Sequence, residues 1–296
     1  AVLGLRTADS SPGDVVGREL GVLLHGGDKR WAAPAKADAE SLTPESFRAF
    51  WEPTLANGPI ELSIFGDFDV EQVKQAVLDT FGALPPRPPV TVQKGSDNVS
   101  GPVPNRAPVR LTHKGSPDQA IAALAWTTGG GIDKVRTSRQ LDMLAAIFAD
   151  RLFEQFREGE GASYSPDVSS SWPAGFRSGG SFLVMAQVKP ESIDAFFVRA
   201  RAIAANLAAK PVSQDELQRA VGPMLQRIAR ASTGNSFWMS QLSGATEDPQ
   251  RIANLLRWND DLKSIRPSDL QALAKRYLKA NKAFSVVVVP DAIASK

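Results

Sequence analysis

Between residues 85 and 108, seven of the chain's 21 prolines fall within one short stretch, together with Gly95 and Gly101. Proline brings no amide hydrogen to a ladder or a helix interior and fixes its own φ, so no regular core element can run through such a stretch. The 296-residue chain must therefore fold on either side of a linker. Residues 1–84 form a first unit and residues 109–296 a second, and the linker itself can add at most short edge strands at 90–93 and 108–112. The second unit is of ordinary domain size. With 43% hydrophobic and 22% charged residues, the chain is neither disordered nor fibrous.

Composition then narrows the chemistry. Lys+Arg 34 against Asp+Glu 32 leaves +2, with the signs interspersed, so there is no bulk field of the kind that attracts nucleic acid or an anionic membrane. The absence of cysteine excludes disulfides, thiolate metal sites and a thiol nucleophile. His25 and His113 stand far apart, which leaves no set for a zinc site within the chain and no setting for a Ser-His-Asp triad. No apolar run approaches the length of a membrane-spanning helix, and none is expected.

The periodicities predict helices at 14–25 (N-capped by Asp14) and at 43–56 (N-capped by Thr43, with Pro44 in the first helical position), then a strand through Ile60, Leu62 and Ile64. Asp69 caps a further helix, closed by Gly82. Beyond the linker the pattern predicts a strand at 120–127, a long helix at 134–157 and antiparallel strands at 164–172 and 181–188. Helices follow at 190–209, 214–231, 236–245, 249–262 and 267–279, then a last strand at 284–289.

A faint repeat links the two units. Leu42-Thr43-Pro44-Glu45-Ser46-Phe47-Arg48-Ala49-Phe50 runs parallel to Ile265-Arg266-Pro267-Ser268-Asp269-Leu270-Gln271-Ala272-Leu273, and the strands then align Ile60, Leu62, Ile64 and Asp67 with Phe284, Val286, Val288 and Asp291. Two ordinary helix–strand units would also align in this way. Taken as a repeat, the first copy has far less chain ahead of its proline helix than the second. Residues 1–84 then read as the C-terminal part of a truncated unit, and the chain as a fragment of something longer.

The long helix ends Phe156-Arg157-Glu158-Gly159-Glu160-Gly161, and the next strand opens at Ser163-Tyr164. The two glycines permit a sharp reversal that can bring Arg157 near Tyr164, where guanidinium and phenol together offer several donors to a carbonyl or a developing oxyanion. Arginine is also favourable at any helix C-terminus, and a tyrosine packs well early in a strand. Thr127-Thr128-Gly129-Gly130-Gly131 lacks the register of a phosphate loop and reads as a flexible strand–helix turn. Glu154, Glu158 and Glu160 read as a solvated helix face and loop.

The assembled pattern resembles the pitrilysin/insulinase family of inverted-zincin metallopeptidases. Gly66-Asp67-Phe68-Asp69 after a strand, with Phe81-Gly82-Ala83-Leu84-Pro85 after the next helix, is similar to the family's recurrent domain ending. The run from Phe153 to Tyr164 resembles its non-catalytic substrate-binding segment, in which an Arg and a Tyr seven residues apart flank a helix-to-strand turn. The resemblance implies an α+β fold: tandem α/β rolls, each a mostly antiparallel mixed sheet with helices packed on one face. The family's His-x-x-Glu-His is missing, so the chain resembles the zinc-free C-terminal half, inactive alone. Its implied partner is a zinc-bearing half, in the same longer chain or as a separate subunit, and its implied ligands are unfolded peptides. Arg157 and Tyr164 then bind substrate and stabilise the transition state. A non-catalytic assembly subunit of the same fold is the alternative. Bacterial relatives favour a periplasmic location.

Overall fold

In the computed structural model, which describes residues 9–89, 94–160 and 166–294, the chain beyond the linker builds one five-stranded sheet. Its strands are β1 (Val109–His113), β2 (Ala120–Thr127), β3 (Asp167–Ser171), β4 (Ser181–Val188) and β5 (Phe284–Pro290), in the spatial order β1-β5-β2-β4-β3. β1 runs parallel to β5, and the remaining neighbours are antiparallel. The expected mixed, mostly antiparallel sheet is therefore present.

β2 and β5 are apolar almost without alternation because both of their faces are covered. Ala122, Leu124 and Trp126, with Val287 and Val289, face the main core. There they meet α5 (Val135–Glu160), α6 (Ile193–Ala209) and α11 (Pro267–Tyr277). α7 (Gln214–Ala231) packs on α5, and α10 (Trp258–Lys263) braces both. Ile121, Ala123, Ala125, Phe284, Val286 and Val288 face the other way, onto Val15, Leu20, Leu23 and Leu24 of α1 (Pro12–Leu24). Helices thus form a layer on one face, and the single helix α1 crosses the other although it lies before the linker.

Capping sets the helix starts. α1 begins at Pro12 with Ser11 as its cap, two residues before the expected start, and Asp14 sits inside the first turn bonded to Ser11. After the short α2 (Lys36–Ser41), in α3 (Pro44–Leu55) Thr43 and Ser46 exchange side-chain-to-backbone bonds at 3.1 and 2.9 Å. Asp69 accepts from Gln72 N at 2.8 Å to open α4 (Val70–Asp79). Ser213 and Glu216 form the same reciprocal pair at the start of α7. The helix expected over 236–245 is α8 (Asn235–Leu242). The one expected over 249–262 is broken at Arg257 into α9 (Gln250–Leu256) and α10.

The largest departure from the sequence-based expectation lies at Ile60, Leu62 and Ile64. These residues alternate as a strand would, yet no strand forms there, and they are 43–45% exposed. A strand needs a neighbour for its backbone groups, and residues 59–65 have none among the described residues. One side-chain contact reaches into the stretch, Glu61 accepting from Gly244 N at 2.7 Å, and beside it Arg87 Nε donates to Gly58 O at 2.7 Å.

The linker is not free chain either. Asn105 Oδ1 accepts from Ser285 N and Oγ, both at 2.8 Å, while its Nδ2 donates to Ser285 O at 2.9 Å, so one amide side chain does the work of a neighbouring strand beside β5. Val99 is buried and its amide donates to Ser178 Oγ at 2.8 Å. Of the two edge strands expected from the linker, the second is β1, and residues 90–93 lie outside the described residues.

Candidate functional site

The segment singled out by sequence joins α5 to β3. Tyr164 and the side chain of Arg157 lie outside the described residues; the backbone of Arg157 is in the last turns of α5. α5 continues through Gly159 to Glu160, three residues beyond the expected end, so Gly159 is helical and does not open the reversal. The two flanks are well fixed. Phe156 is buried and stacks on Phe196 of α6, with ring centroids 6.4 Å apart, which pins the end of α5. β3 is held in register by β4 from Asp167 opposite Met185 to Ser171 opposite Ser181. The helix end and the strand start are therefore anchored to one core.

The neighbouring glycines have a packing role. A Cβ on Gly129 would meet the Trp172 ring at 2.5 Å, and Gly131 takes a positive φ of 99°. Trp172 Nε1 donates to Gly131 O at 3.0 Å and Gly131 N to Pro173 O at 3.0 Å. The loop is thus a seat for the β3–β4 hairpin, ordered and filled, where the sequence reading expected a flexible turn.

Both histidines are tied into the fold through ring nitrogens. His25 Nδ1 bonds Gly21 O at 2.6 Å and the ring stacks on Trp31. His113 is buried; its Nδ1 accepts from Gly115 N at 3.0 Å, which makes Nε2 the protonated nitrogen, bonded to Gln119 O at 2.7 Å. No group of three or more potential ligands gathers among the described residues. The described side chains gather no ligand set for a zinc ion. Nor is any described helix long and apolar enough to cross a membrane.

The titrating groups that do stand out flank α5. Arg151 Nε donates to Glu216 Oε1 at 2.8 Å and holds that carboxyl down at about 2. Asp142 is pushed up to about 6 by burial, partly offset by Arg139, whose guanidinium is already bonded to Asp261 and to Asn254 O. Sequence reasoning passed over Asp142. Its one signal is an acid set directly beside Leu141 and Leu144 on the buried stripe of α5.

Comparison with known proteins bears on this arrangement. Residues 41–223, more than half of the chain, match the family described as Peptidase M16 inactive domain. The chloroplastic stromal processing peptidase of Arabidopsis thaliana is 22% identical over 278 residues, covering 76% of this chain. This chain spans about a fifth of that relative's length. The fold is shared with a peptidase M16 inactive domain from Pseudomonas fluorescens (TM-score 0.75, 19% identity, 98% of this chain and 68% of that one). It is also shared with the periplasmic protease PqqL of Escherichia coli (TM-score 0.74, 15% identity, 98% of this chain and 32% of that one). The match over residues 41–223, on both sides of the linker, shows that this chain belongs to the M16 peptidase inactive-domain family.

Proposed function

We propose that the chain is the zinc-free, substrate-binding half of a zinc metalloendopeptidase, which closes with a separate His-x-x-Glu-His half around an unfolded peptide. The family match carries this reading. Hydrolysis and its metal belong to the other half; this chain binds and orients the peptide. Arg157 holds a substrate carbonyl beside the scissile bond, and the Tyr164 hydroxyl donates to the oxygen that gains charge.

The domain division follows the same reading: residues 1–84 are the C-terminal part of one unit, 85–108 the linker and 109–296 a complete unit. The apolar side chains left exposed between Leu42 and Leu84 are the face by which this part packs on the rest of its own unit. The repeat supports this, because it aligns Ile60–Ile64 with a strand that has neighbours on both sides.

Steady-state kinetics on the protein reconstituted with its zinc half tests the reading. Tyr164→Phe should lower kcat roughly 100- to 1000-fold with little change in KM, as loss of one such donor does. Arg157→Ala should damage both parameters. Circular dichroism should show both variants folded. Full kcat/KM in a folded Tyr164→Phe protein would favour a non-catalytic assembly subunit instead.

A further inference from the structure

A cleft of about 450 Å³ runs between β3, α5 and α7. Asp142, Ala146 and Asp150, one turn apart along α5, line one side; Val168, Ser169 and Ser170 of β3 form the second. Arg219, Ala220, Pro223, Met224 and Arg227 of α7 form the third. Its stem is apolar. Its polar groups are unusual in what they lack.

The Ser170 hydroxyl is buried and has no hydrogen-bond partner. No hydrogen bond or ion pair reaches the Asp142 carboxylate among the described residues, and burial raises its affinity for a proton. Pro223 stands inside α7 and has no N–H for the carbonyl four residues earlier, that of Arg219, which lines the same cleft. A half-buried carboxylate without a donor, a buried idle hydroxyl and a carbonyl deprived of its usual helical donor form an acceptor set. Arg219 is exposed and already bonded to Asp215, and Arg227 is exposed at the rim, so neither guanidinium supplies the missing charge inside.

β3 is an edge strand, paired with β4 alone among the described residues. Its outer edge offers backbone groups to an added extended segment, whose alternate side chains would point into the helix layer.

We propose that this cleft is a pocket for the basic side chain of a peptide laid along β3, with Asp142, Ser170 Oγ and the Arg219 carbonyl accepting from its ammonium or guanidinium group. The proposal rests on the reading of this chain as a peptide-binding half, and deepens it by assigning a preference for Lys or Arg. A lysine ammonium has three N–H donors, one for each acceptor, and four methylenes that suit walls of Met143, Val168 and Met224. Arg227 at the mouth donates to backbone carbonyls of the same peptide.

The test uses the whole 296-residue chain and two dye-labelled, end-blocked extended peptides that differ only in one lysine or norleucine, read by fluorescence anisotropy. The lysine peptide should bind about tenfold more tightly, as expected of a charge-assisted contact. Asp142→Asn should erase that preference while leaving norleucine binding unchanged. Ser170→Ala and Pro223→Ala should each weaken lysine binding several-fold, with thermal melts confirming that all variants fold. Equal binding of the two peptides, or a preference that survives Asp142→Asn, overturns the pocket and leaves peptide binding itself standing. If cadaverine displaces the lysine peptide at that peptide's own Kd, the site takes a free diamine and the peptide assignment falls. No binding of either peptide also overturns the pocket, whereas the Proposed function falls separately, by the reconstituted kinetics.

Discussion

Residues 42–67 and 265–291 share one grammar, a proline-started helix followed by an alternating or continuous apolar run, and they end in different states. The helices form in both places, α3 from Pro44 and α11 from Pro267. The strand forms in one. β5 lies between β1 and β2 and is buried along its whole length, whereas Ile60, Leu62 and Ile64 stand in solvent. The contrast separates two kinds of specification. A helix satisfies its backbone internally and needs a cap and a propensity; a strand is completed by its neighbours. α3 therefore folds with Phe47 60% and Phe50 71% exposed, while α11 buries Leu270 and Leu273.

The contrast is sharpest at the strand positions. Val287→Asp in β5 places an unpaired charge in the core and should cost more than about 4 kcal/mol, enough to abolish the unfolding transition at 37 °C. Leu62→Asp, at the aligned run, should change stability by less than about 0.5 kcal/mol in urea titrations of this chain. Equal losses at the two positions would mean that residues 59–65 are packed after all.

Ion pairs sharpen it next. Arg151–Glu216 is about one-fifth exposed at 2.8 Å, and Arg48–Glu52 is largely exposed at 3.9 Å. Because the Glu216 carboxyl is held below its unfolded value, its stabilisation is complete above about pH 4.5 and is lost as pH falls toward 2. Glu216→Gln should cost about 2 kcal/mol at pH 7, after allowance for solvent screening, and progressively less toward pH 2. Glu52→Gln should cost nothing measurable at either pH.

Asp142 has the opposite sign. Its carboxyl is raised from 3.8 to about 6 in the folded protein, so its cost is absent below about pH 4, grows as pH rises through 6 and is complete above that. Asp142→Asn should therefore raise stability by about 1–2 kcal/mol at pH 8 and by nothing at pH 3.5, measured as Tm across a pH series. A gain that does not depend on pH would mean that the substitution acts through packing.

The smallest effect concerns the caps. Thr43→Ala should release α3 locally, seen as faster amide exchange over residues 44–48 with the global transition unmoved. Ser213→Ala should lower global stability by about 1 kcal/mol, because α7 is packed on the core.

What the sequence made legible follows the same division. The starts of α3, α4 and α7, the long α5 and the buried strands β2, β4 and β5 all carry local signals, such as a capping oxygen, a 3.6-residue stripe or a fully apolar run. Three features carry none. The break at Arg257 comes between two helices that pack on different neighbours. The crossing of α1 over the second sheet face requires knowing that Ala123, Ala125, Val286 and Val288 need a cover. The acceptor cluster around Asp142 joins residues from three elements that only the tertiary fold brings together. The Arg157–Tyr164 pairing was legible as spacing alone, and its geometry falls outside the described residues.

The clasp of Asn105 on Ser285 has a mechanical consequence. Proline-rich joints are usually treated as hinges, and a joint that swings absorbs motion at one end without passing it to the other. Here Val99 is latched to Ser178 and Asn105 to the start of β5, so this end of the joint has been taken into the sheet and moves with it. Limited proteolysis should accordingly spare residues 98–108, and Asn105→Ala should unfasten that end, exposing the stretch to cleavage before the sheet itself unfolds.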